Sequence, residues 1–427
     1  MAGRRAIVPD GSNGGFTMDE RYIVISADGH AGASMDTYGE YLDRSFQGEY
    51  EAWRRAFVNP YADLEDTGSR DYRRNFDSAI RQLDLEADGI VAEVVYPNTI
   101  PPFFAGHLLF NAPDPTSARE LDQRWAGIHA HNRWLADWCA EFPGRRAGVA
   151  QLLLDDLDRA LTEVAWIREQ PGLFGGILLP NPSPDSKVAP LHAPDYEPLW
   201  ALLEDLDLTV NVHGGQGGPA LGDYPATMMM RFLEFGWYSQ RPLVRLVFSG
   251  VLERHPRLRL VFTEAGNGWV PSALSELDRY YDQVLDAPAG SVEAHFGDFT
   301  RAYVPRRPSE YWARQCHLGA SSMSPGDWPS ARVAGVDHVM WGSDYPHLEG
   351  TNPYTAESLR FTFAGIDPHD VRLVLGENAA RVYGFDLDAL TSLAAEIGPR
   401  VDDVATPLPP SEIPDDAVTM ALRGMPG

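Results

Sequence analysis

Short apolar runs, each closed by Gly, Pro, Asn or Asp, alternate along this chain with longer stretches of helical pattern. In the helical stretches apolar residues fall three or four apart, as at Leu157, Leu161 and Val164. Strand alternating with helix indicates parallel βαβ units. Eight runs favour a (β/α)8 barrel over an open doubly wound sheet, and they read YIVISADGH, GIVAEVVYPN, RAGVAQLLL, FGGILLPNP, LTVNVHGG, LRLVFTEAG, QCHLGASS and HVMWGSDYPH. No GxGxxG or GxxxxGK[ST] motif follows the first run, which argues against a nucleotide-binding sheet.

The other segments predict additions to the barrel, which is expected to span residues 21–387. Residues 1–20 are rich in Gly and polar residues and are expected to form a flexible lead. The segment 31–87 is too long for a simple crossover and is expected to insert over the barrel mouth. Residues 388–427 are Pro-rich and acidic, which predicts an extended C-terminal tail that wraps the body or stays mobile.

Charge and composition exclude several classes of partner. The formal net charge of −26 over 427 residues repels nucleic acid and anionic membrane surfaces, so neither is an expected partner. The only two cysteines, Cys139 and Cys316, provide no disulfide framework. The first 20 residues lack the apolar segment of a secretory signal, and no stretch approaches the ~20 apolar residues of a membrane helix. The cytoplasm is therefore the expected compartment.

Ionisable residues stand at the ends of four of the eight runs, where barrel enzymes place their chemistry. Each residue alone has an ordinary structural explanation, because a histidine can be hydrogen-bonded in the core and an acid can cap the next helix. Together they offer oxygen and nitrogen donors at one mouth, which is a pattern typical of a divalent metal site. The predicted ligands are Asp28 and His30 from the first run, His213 from the fifth, Glu264 from the sixth and Asp344 from the eighth.

Asp28 and His30 are two residues apart, so an extended strand would project both to the same side. Gly29 between them is expected to leave the groove open for a chelated ion. His347, in the DYPH of the eighth run, and His317, assigned to the end of the seventh, are candidates for contacts to the substrate or to the ligands. The remaining candidates are expected to serve packing or capping, and they are His107, His129, His131 and His338.

The motifs ADGH, VHGG, EAGNGWVP, WGSDYPH and GENAARVYGF resemble the amidohydrolase superfamily, and more narrowly its amidohydrolase-2 branch, between about Tyr22 and Phe385. That branch includes decarboxylases of aminocarboxymuconate semialdehyde and of resorcylate. The resemblance implies a distorted (β/α)8 TIM barrel with a metal at the strand ends, and a homo-oligomer, in particular a dimer. It also implies metal ligands at Asp28, His30 and His213, with Asp344 as the acid of the eighth strand.

Two positions depart from the family pattern. Asp28 stands where the superfamily commonly has the first histidine of His-x-His, and Glu264 stands where the decarboxylases carry a catalytic histidine. A carboxylate at position 264 can bridge two ions, and no strand end carries a lysine for that purpose. The expected cofactor is therefore a divalent metal (Fe, Zn or Mn), with two ions favoured over one.

These residues predict a metal-dependent hydrolase that cleaves an amide, ester or thioester bond of a small, largely apolar substrate with activated water. Asp344 would move the proton, and Glu264 and His347 would complete the catalytic group. The alternative enzyme is a non-oxidative decarboxylase of an aromatic or unsaturated acid, against which an anionic Glu264 argues. A third hypothesis is an inactive barrel that serves as a binding protein, against which the complete strand-end set argues.

Overall fold

The computed structural model describes residues 20–59, 70–106 and 113–423. Eight parallel strands pair in chain order, each with the next, so the predicted (β/α)8 barrel is confirmed. Nearly every strand residue is buried, as expected for strands covered on both faces, and this explains why the runs are continuously apolar. The strands are β1 Val24–Ala31, β2 Ile90–Pro97, β3 Arg146–Gln151, β4 Gly176–Leu178, β5 Val210–His213, β6 Leu260–Thr263, β7 Cys316–Ser321 and β8 Val339–Gly342.

The barrel closes where the end of β1 meets the residues that follow β8. Gly29 forms a parallel bridge with Tyr345. The amide of Asp344 donates to the carbonyl oxygen of Asp28 at 2.9 Å, and the amide of His30 donates to the carbonyl oxygen of Tyr345 at 2.6 Å. This closure brings the first and last strand ends, with their ionisable side chains, next to each other.

Helices connect the strands and cover the outside of the barrel. Between β1 and β2 lie α1 Met35–Tyr41, α2 Gln47–Ala56, α3 Arg70–Arg73 and α4 Ser78–Ala87. Single helices follow the next three strands, and they are α5 Ala118–Ala140, α6 Leu157–Arg168 and α7 Glu197–Asp205. The later connections carry α8 Thr227–Ser239, α9 Arg241–Phe248, α10 Val251–Arg254, α11 Trp269–Leu285, α12 Val292–Phe296, α13 Asp298–Tyr303, α14 Pro308–Gln315 and α15 Trp328–Ala334.

The chain after β8 continues as helices that pack on the barrel, namely α16 Thr355–Phe363, α17 Pro368–Arg372, α18 Asn378–Tyr383, α19 Leu387–Ile397 and α20 Val401–Ala405. Val401 and Val404 join the main apolar core, and the amide of Met420 donates to the carbonyl oxygen of Glu349 at 3.0 Å. Shorter turns are the 3-10 helices Arg44–Phe46, Pro171–Leu173, Pro194–Tyr196, Pro325–Asp327, Val336–His338, Pro410–Glu412 and Met420–Arg423, and the π-helical turn Leu373–Glu377.

The structure describes most of the predicted insertion, residues 31–87, but almost none of the predicted lead, residues 1–20. Residues 31–87 carry α1–α4, and Tyr38 of α1 hydrogen-bonds Thr99 at 2.9 Å and His131 of α5 at 2.8 Å. The placement of this segment over the barrel mouth stays a prediction. The predicted lead, residues 1–20, lies almost wholly outside the described residues. Among the described residues, no helix has the length and apolar character needed to cross a membrane.

Candidate metal centre

The structure brings the predicted ligands together at the carboxyl ends of four strands. Asp28 and His30 belong to β1, and His213 is the last residue of β5. Glu264 directly follows β6, and Asp344 lies two residues beyond β8. All are buried except Glu264, whose side chain is 26% exposed and is therefore the member of the group open to the mouth.

Donor atoms from these strands lie at the separations of atoms that share one ion. Nε2 of His30 is 3.2 Å from Oδ1 of Asp28, 3.2 Å from Oδ1 of Asp344 and 3.7 Å from Oε2 of Glu264. Nε2 of His213 is 3.1 Å from Oε2 of Glu264 and 3.8 Å from Oδ1 of Asp28. Two ligands held about 2.1 Å from one cation are at most about 4.2 Å apart, so these separations fit coordination.

The atoms that face the centre have no hydrogen-bond partner among the described residues, although they are buried. Buried polar atoms are almost always paired, so a group of unpaired ones that face each other indicates a missing ligand. Three negative carboxylates beside nitrogen donors suit a divalent cation of intermediate hardness. The unpaired atoms are Oδ1 of Asp28, Nε2 of His30, Nε2 of His213, Oδ1 of Asp344 and Nδ1 of His347.

Backbone strain accompanies two of the carboxylates. Glu264 and Asp344 adopt left-handed φ angles of 51° and 57°, which are uncommon for residues other than glycine. The helix after β6 begins at Trp269 with Gly268 as its N-cap, so Glu264 is not a helix cap. Such strained conformations persist where the surrounding structure holds them, and they cluster at functional sites.

Neighbouring hydrogen bonds orient the ligands. The hydroxyl of Ser321, the last residue of β7, donates to Oδ2 of Asp28, which leaves Oδ1 facing the centre. Nδ1 of His213 contacts the carbonyl oxygen of Gly214 at 3.0 Å. Nε2 of His347 lies 3.1 Å from Oδ1 of Asn98 and leaves Nδ1 facing Asp344. Sequence reasoning missed Ser321 and Asn98, although both stand where the seventh and second runs end.

The charges of the centre stabilise one another. Burial alone would lower the pKa of His30, but Asp28 and Asp344 outweigh it and raise that pKa to about 10. Burial also lowers the pKa of His213, while Glu264 and Asp28 raise it to about 10. Burial would raise the pKa of the Asp28 carboxyl, but His30 and His213 hold it well below its usual range. Without metal, therefore, the two imidazoles are protonated beside ionised carboxylates, and a cation can take the place of those protons.

His347 joins the centre, as the sequence suggested for this residue. Its ring stacks on that of His30 with 4.1 Å between centroids, and its Nδ1 lies 2.8 Å from Oδ1 of Asp344. Burial lowers the pKa of His347, but the Asp344 carboxylate outweighs it and raises that pKa. His30, Glu264, Asp344 and His347 form a second group of potential metal ligands that overlaps the first.

The placement of His317 at the mouth is wrong. His317 is the second residue of β7, at the opposite end of the strand from Ser321, and it stacks on His338 with 4.9 Å between ring centroids. Burial and the nearby His338 lower its pKa to about 3, so it is a neutral packing residue. His129 pairs with Glu163 and His131 with Tyr38, while His107 lies outside the described residues.

The presence of glycine at position 29 is explained by close packing and not by the expected open groove. A Cβ atom at Gly29 would lie 2.8 Å from Oε2 of Glu93 and 3.1 Å from Nη2 of Arg81. Successive strand residues point to opposite sides, so Gly29 faces the buried Arg81–Glu93 pair and not the ion. The glycine is needed because that pair packs directly against the strand.

A family model described as amidohydrolase matches residues 87–385. The chain belongs to the amidohydrolase superfamily, in its amidohydrolase-2 branch. The match begins after β1 and does not include Asp28 or His30. These two residues are assigned to the centre by the short distances between their side chains and the other candidate ligands. As a member of this family the protein is an enzyme, which confirms that prediction.

Curated relatives of this amidohydrolase include γ-resorcylate decarboxylases. The chain is 27% identical to that of Rhodococcus jostii (strain RHA1) over 295 residues, which cover 65% of this chain and 83% of the relative. It is 26% identical to that of Rhizobium sp. (strain MTP-10005) over 239 residues, which cover 55% of this chain and 68% of the relative.

Solved structures share the fold. A 5-carboxyvanillate decarboxylase from Novosphingobium aromaticivorans DSM 12444, complexed with manganese and 4-hydroxy-3-methoxy-5-nitrobenzoic acid, superposes with a TM-score of 0.61 at 17% identity. The superposition covers 85% of this chain and 96% of that structure. A 2,6-dihydroxybenzoate decarboxylase complexed with 2,6-dihydroxybenzoate superposes with a TM-score of 0.55 at 19% identity, over 86% of this chain and 99% of that one.

These relatives overturn the expectation of acyl-bond hydrolysis. The curated proteins that match this chain are decarboxylases, so the prediction of an amide, ester or thioester hydrolase is wrong. Glu264 is not the isolated anion that would oppose decarboxylation, because its Oε2 lies 3.1 Å from Nε2 of His213, whose pKa is raised. The buried donor set and the manganese in related structures support a divalent metal in this amidohydrolase.

Proposed function

We propose that this protein is a divalent-metal-dependent decarboxylase of a small aromatic hydroxy acid. The observation that carries the proposal is the pair of buried Asp344 and partly buried His347 beside the centre, with 2.8 Å between Oδ1 and Nδ1. Such a pair can hold and deliver a proton, and decarboxylation requires a proton at the ring carbon. If Asp344 served only to orient the metal, it would not need an imidazole beside it. The names of the curated relatives support the reaction, and they support a phenolic acid as the substrate class.

A decarboxylation of this kind exchanges a ring carboxylate for hydrogen. The ring carbon gains one proton, the carbon–carbon bond to the carboxylate breaks, its electron pair returns to the ring and CO2 leaves. Asp344 delivers the proton to the ring carbon and takes a replacement from Nδ1 of His347. Asn98 accepts a hydrogen bond from the other nitrogen of His347 at 3.1 Å and so fixes the ring for that transfer.

Asp28, His30, His213 and Glu264 would hold the metal, together with Asp344. When bound, a divalent cation supplies a positive centre that holds an anionic substrate and stabilises negative charge on it. Ser321 keeps Oδ2 of Asp28 engaged, so that carboxylate offers its other oxygen. Burial of these donors excludes water from the inner side of the centre.

One ion suits this set better than the two that Glu264 suggested. Both overlapping groups of potential ligands include His30, and its Nε2, which lies beside the carboxylates, has a single lone pair and cannot bind two cations. Nδ1 of His30 faces the carbonyl oxygen of Pro97 at 3.5 Å and points away from the centre. We therefore propose that the two groups are alternative partners of one ion.

The test is product analysis on the metal-loaded protein. The purified protein is incubated with Mn²⁺ and either 2,6-dihydroxybenzoate or 5-carboxyvanillate, and CO2 and the decarboxylated phenol are measured together. We expect equal amounts of both products, loss of turnover with a chelator and its return with Mn²⁺. An aryl ester and an aryl amide serve as controls. Release of acid from either of them, without CO2 from any aromatic acid, would contradict the proposal.

A further inference from the structure

The carboxamide of a buried glutamine at the end of β3 lacks a partner within the described part of the chain. Gln151 is the last residue of β3 and is 1% exposed, yet neither its Nε2 nor its Oε1 has a hydrogen-bond partner there. Burial without a partner is unfavourable for a polar group, because its hydrogen bonds to water are lost and not replaced. Buried polar groups in native proteins are almost always paired, so this carboxamide indicates a ligand that completes its hydrogen bonds.

The side chain of Gln151 points into the barrel. Successive strand residues face opposite sides, and Val149, two residues before Gln151, belongs with Tyr96 and Leu178 to the apolar cluster inside the barrel. Ala150, between the two, belongs instead to the main apolar core outside the strands. Gln151 therefore shares the inner face of β3 with Val149, at the carboxyl end of the strand.

The same inner wall adjoins the candidate metal centre. The ring of Tyr96 lies 6.0 Å from that of His30 and 4.9 Å from that of His213, measured between centroids. The parallel pairing of β2 with β3 places Tyr96 beside Val149. Gln151 lies two residues further along β3, which is about 7 Å closer to the mouth of the barrel. Its carboxamide is thus positioned on the mouth side of the ring that packs against two predicted ligands.

Gln151 lines a cavity of about 110 Å³ at the carboxyl ends of β3 and β4. Asn181, which follows β4, and Gln216, three residues after the predicted ligand His213, line the same cavity. Nδ2 of Asn181 donates to the carbonyl oxygen of Tyr238 at 3.1 Å, while its buried Oδ1 has no partner among the described residues. A cavity of about 150 Å³ holds a benzene molecule, so this smaller one has room for a ring substituent and part of the ring edge.

The unpaired atoms match a hydroxyl group better than other substituents. Nε2 of Gln151 is a donor, whereas its Oε1 and Oδ1 of Asn181 are acceptors, and a hydroxyl both accepts and donates. A methoxy oxygen or an ionised carboxylate only accepts, and an ammonium group only donates. Two acids in the cavity wall, Asp114 and Asp155, outnumber the single guanidinium of Arg124, which disfavours an anionic substituent.

The backbone of Gln151 is held in place from outside the barrel. Its amide donates to Oδ1 of the buried Asn132 of α5 at 2.8 Å, and its carbonyl oxygen accepts from Nδ2 of Asn132 at 2.9 Å. Nδ2 of Asn132 also donates to Oε1 of Glu163 at 2.7 Å. The carboxamide therefore extends from a fixed backbone, so little conformational entropy is lost when it binds a ligand.

We propose that Gln151 is a specificity-determining residue, which binds a hydroxyl group of the aromatic ring while the carboxylate-bearing end of the ring lies at the metal centre. The hydroxyl oxygen accepts from Nε2 of Gln151 and donates its hydrogen to Oδ1 of Asn181 or to Oε1 of Gln151. An analogue without this hydroxyl leaves the carboxamide unpaired, which is how a polar site rejects it. This inference rests on the proposed decarboxylation and adds the feature of the substrate that this chain selects.

Gln151→Met tests the proposal, because methionine keeps nearly the same volume and removes both hydrogen-bonding groups. The values of kcat/KM are measured with Mn²⁺ for 2-hydroxybenzoate and for the four dihydroxybenzoates that retain its 2-hydroxyl. In the wild type, at least one dihydroxy isomer is expected to exceed 2-hydroxybenzoate by roughly 10–100-fold. Gln151→Met should abolish that preference and leave the value for 2-hydroxybenzoate unchanged.

The matched control is Gln82→Met on α4, where Nε2 of Gln82 donates to Glu86 at 2.7 Å. This variant should keep the wild-type preference. Ligand-free Gln151→Met should melt at the wild-type temperature or above it, since the substitution breaks no hydrogen bond within the described part of the chain. A large decrease in its melting temperature would show that the carboxamide serves the fold and would overturn the proposal.

Binding of unreactive analogues separates this inference from the proposed reaction. Calorimetry on the Mn²⁺-loaded proteins compares 2-nitrophenol with the four nitrodihydroxybenzenes in which a nitro group replaces the carboxylate of those acids. The wild type should bind one of the four about tenfold more tightly than 2-nitrophenol, and Gln151→Met should not. If no acid releases CO2, the proposed reaction fails, and this binding experiment still decides the role of Gln151. Equal affinities in the wild type, or a preference that survives in Gln151→Met, would overturn the inference.

Discussion

Nδ1 of His347 lies 2.8 Å from Oδ1 of Asp344, and the same oxygen lies 3.2 Å from Nε2 of His30. The Asp344 carboxylate raises the pKa of His347, while the imidazole of His347 opposes the effect of burial and holds the pKa of Asp344 below its usual range. Both shifts favour the ion-paired form, in which the imidazole of His347 holds the proton and the Asp344 carboxylate is ionised. Proton delivery through this contact is the step on which the proposed decarboxylation depends.

Asp344→Asn should reduce turnover strongly and leave the fold intact. The amide keeps the size of the side chain but removes its charge and basicity, and a positioned proton-transfer group usually contributes ~10²–10⁴-fold. Steady-state rates at saturating Mn²⁺ measure the loss. Asp337→Asn, at an exposed acid in the turn before β8, is the control and should keep wild-type rates. A loss of less than tenfold in Asp344→Asn would contradict the proton-transfer role.

His213→Ala should lose bound metal. Nε2 of His213 is one of the buried unpaired atoms of the centre, and the alanine removes that donor without a replacement. Metal content of the purified variant, measured by elemental analysis, is expected to fall well below that of the wild type. His338→Ala removes a histidine outside the centre and should keep its metal. Full metal content in His213→Ala would show that the ligand assignment is wrong.

Metal stoichiometry separates one ion from two. We expect one ion per chain in the wild type, because both groups of potential ligands share His30, whose Nε2 has a single lone pair. Glu264→Gln should weaken the affinity for that ion, since an amide is a poorer ligand than a carboxylate. Titration of the metal-free proteins followed by elemental analysis gives both quantities. Two ions in the wild type that fall to one in Glu264→Gln would instead identify Glu264 as a bridging ligand.

Metal binding should strengthen as the pH rises. In the metal-free protein the pKa values of His30 and His213 are both about 10, so each imidazole must lose a proton before its nitrogen can bind a cation. Asp28 stays ionised because its pKa is low, so it does not oppose this trend. Below pH 10 the affinity should rise about tenfold per pH unit for each proton released. Calorimetric titrations with metal between pH 6 and 8, in buffers of different ionisation enthalpy, measure how many protons are released on binding. A metal affinity that does not change with pH would contradict the coupling of metal binding to proton release.

The strands and the meeting of the candidate ligands at one end of the barrel could be predicted, because both follow from local patterns. A strand buried on both faces is continuously apolar, and parallel strands in a barrel place the residues at their carboxyl ends together. The supporting contacts could not be predicted, because they join residues far apart in sequence, such as Ser321 with Asp28 and Asn98 with His347. Helical periodicity is likewise unable to tell which way a helix faces, as the exposed apolar side of α8 illustrates.

The prediction of hydrolysis is wrong for a related reason. Glu264 read alone is an anion that would repel a carboxylate substrate, and only its contact with His213 reveals that its charge is compensated. The prediction that Gly29 opens a groove for the ion is wrong, because the side that Gly29 faces is occupied by Arg81 and Glu93. In both cases the role of one residue depends on a partner that is distant in sequence and that only the fold brings into contact with it.

The buried pair of Arg81 and Glu93 should stabilise both the fold and the metal centre. Arg81 donates to the two carboxylate oxygens of Glu93 at 2.8 and 2.6 Å and to the carbonyl oxygen of His30 at 2.7 Å. Both side chains are almost fully buried. Glu93→Gln would leave a buried cation without its counter-charge, which typically costs about 3–5 kcal/mol of folding free energy. Urea denaturation of the metal-free protein measures that loss.

The matched control is Glu86→Gln, which breaks the partly exposed pair of Arg145 and Glu86 at 2.9 Å. A pair of that kind contributes about 0–1 kcal/mol, so this variant should unfold nearly as the wild type does. Because Arg81 also fixes the carbonyl oxygen of His30, Glu93→Gln should weaken metal binding as well, whereas Glu86→Gln should not. Equal destabilisation in the two variants would contradict the buried-pair argument. If a folded Glu93→Gln variant binds metal as tightly as the wild type, the pair stabilises the fold but does not position His30 for metal binding.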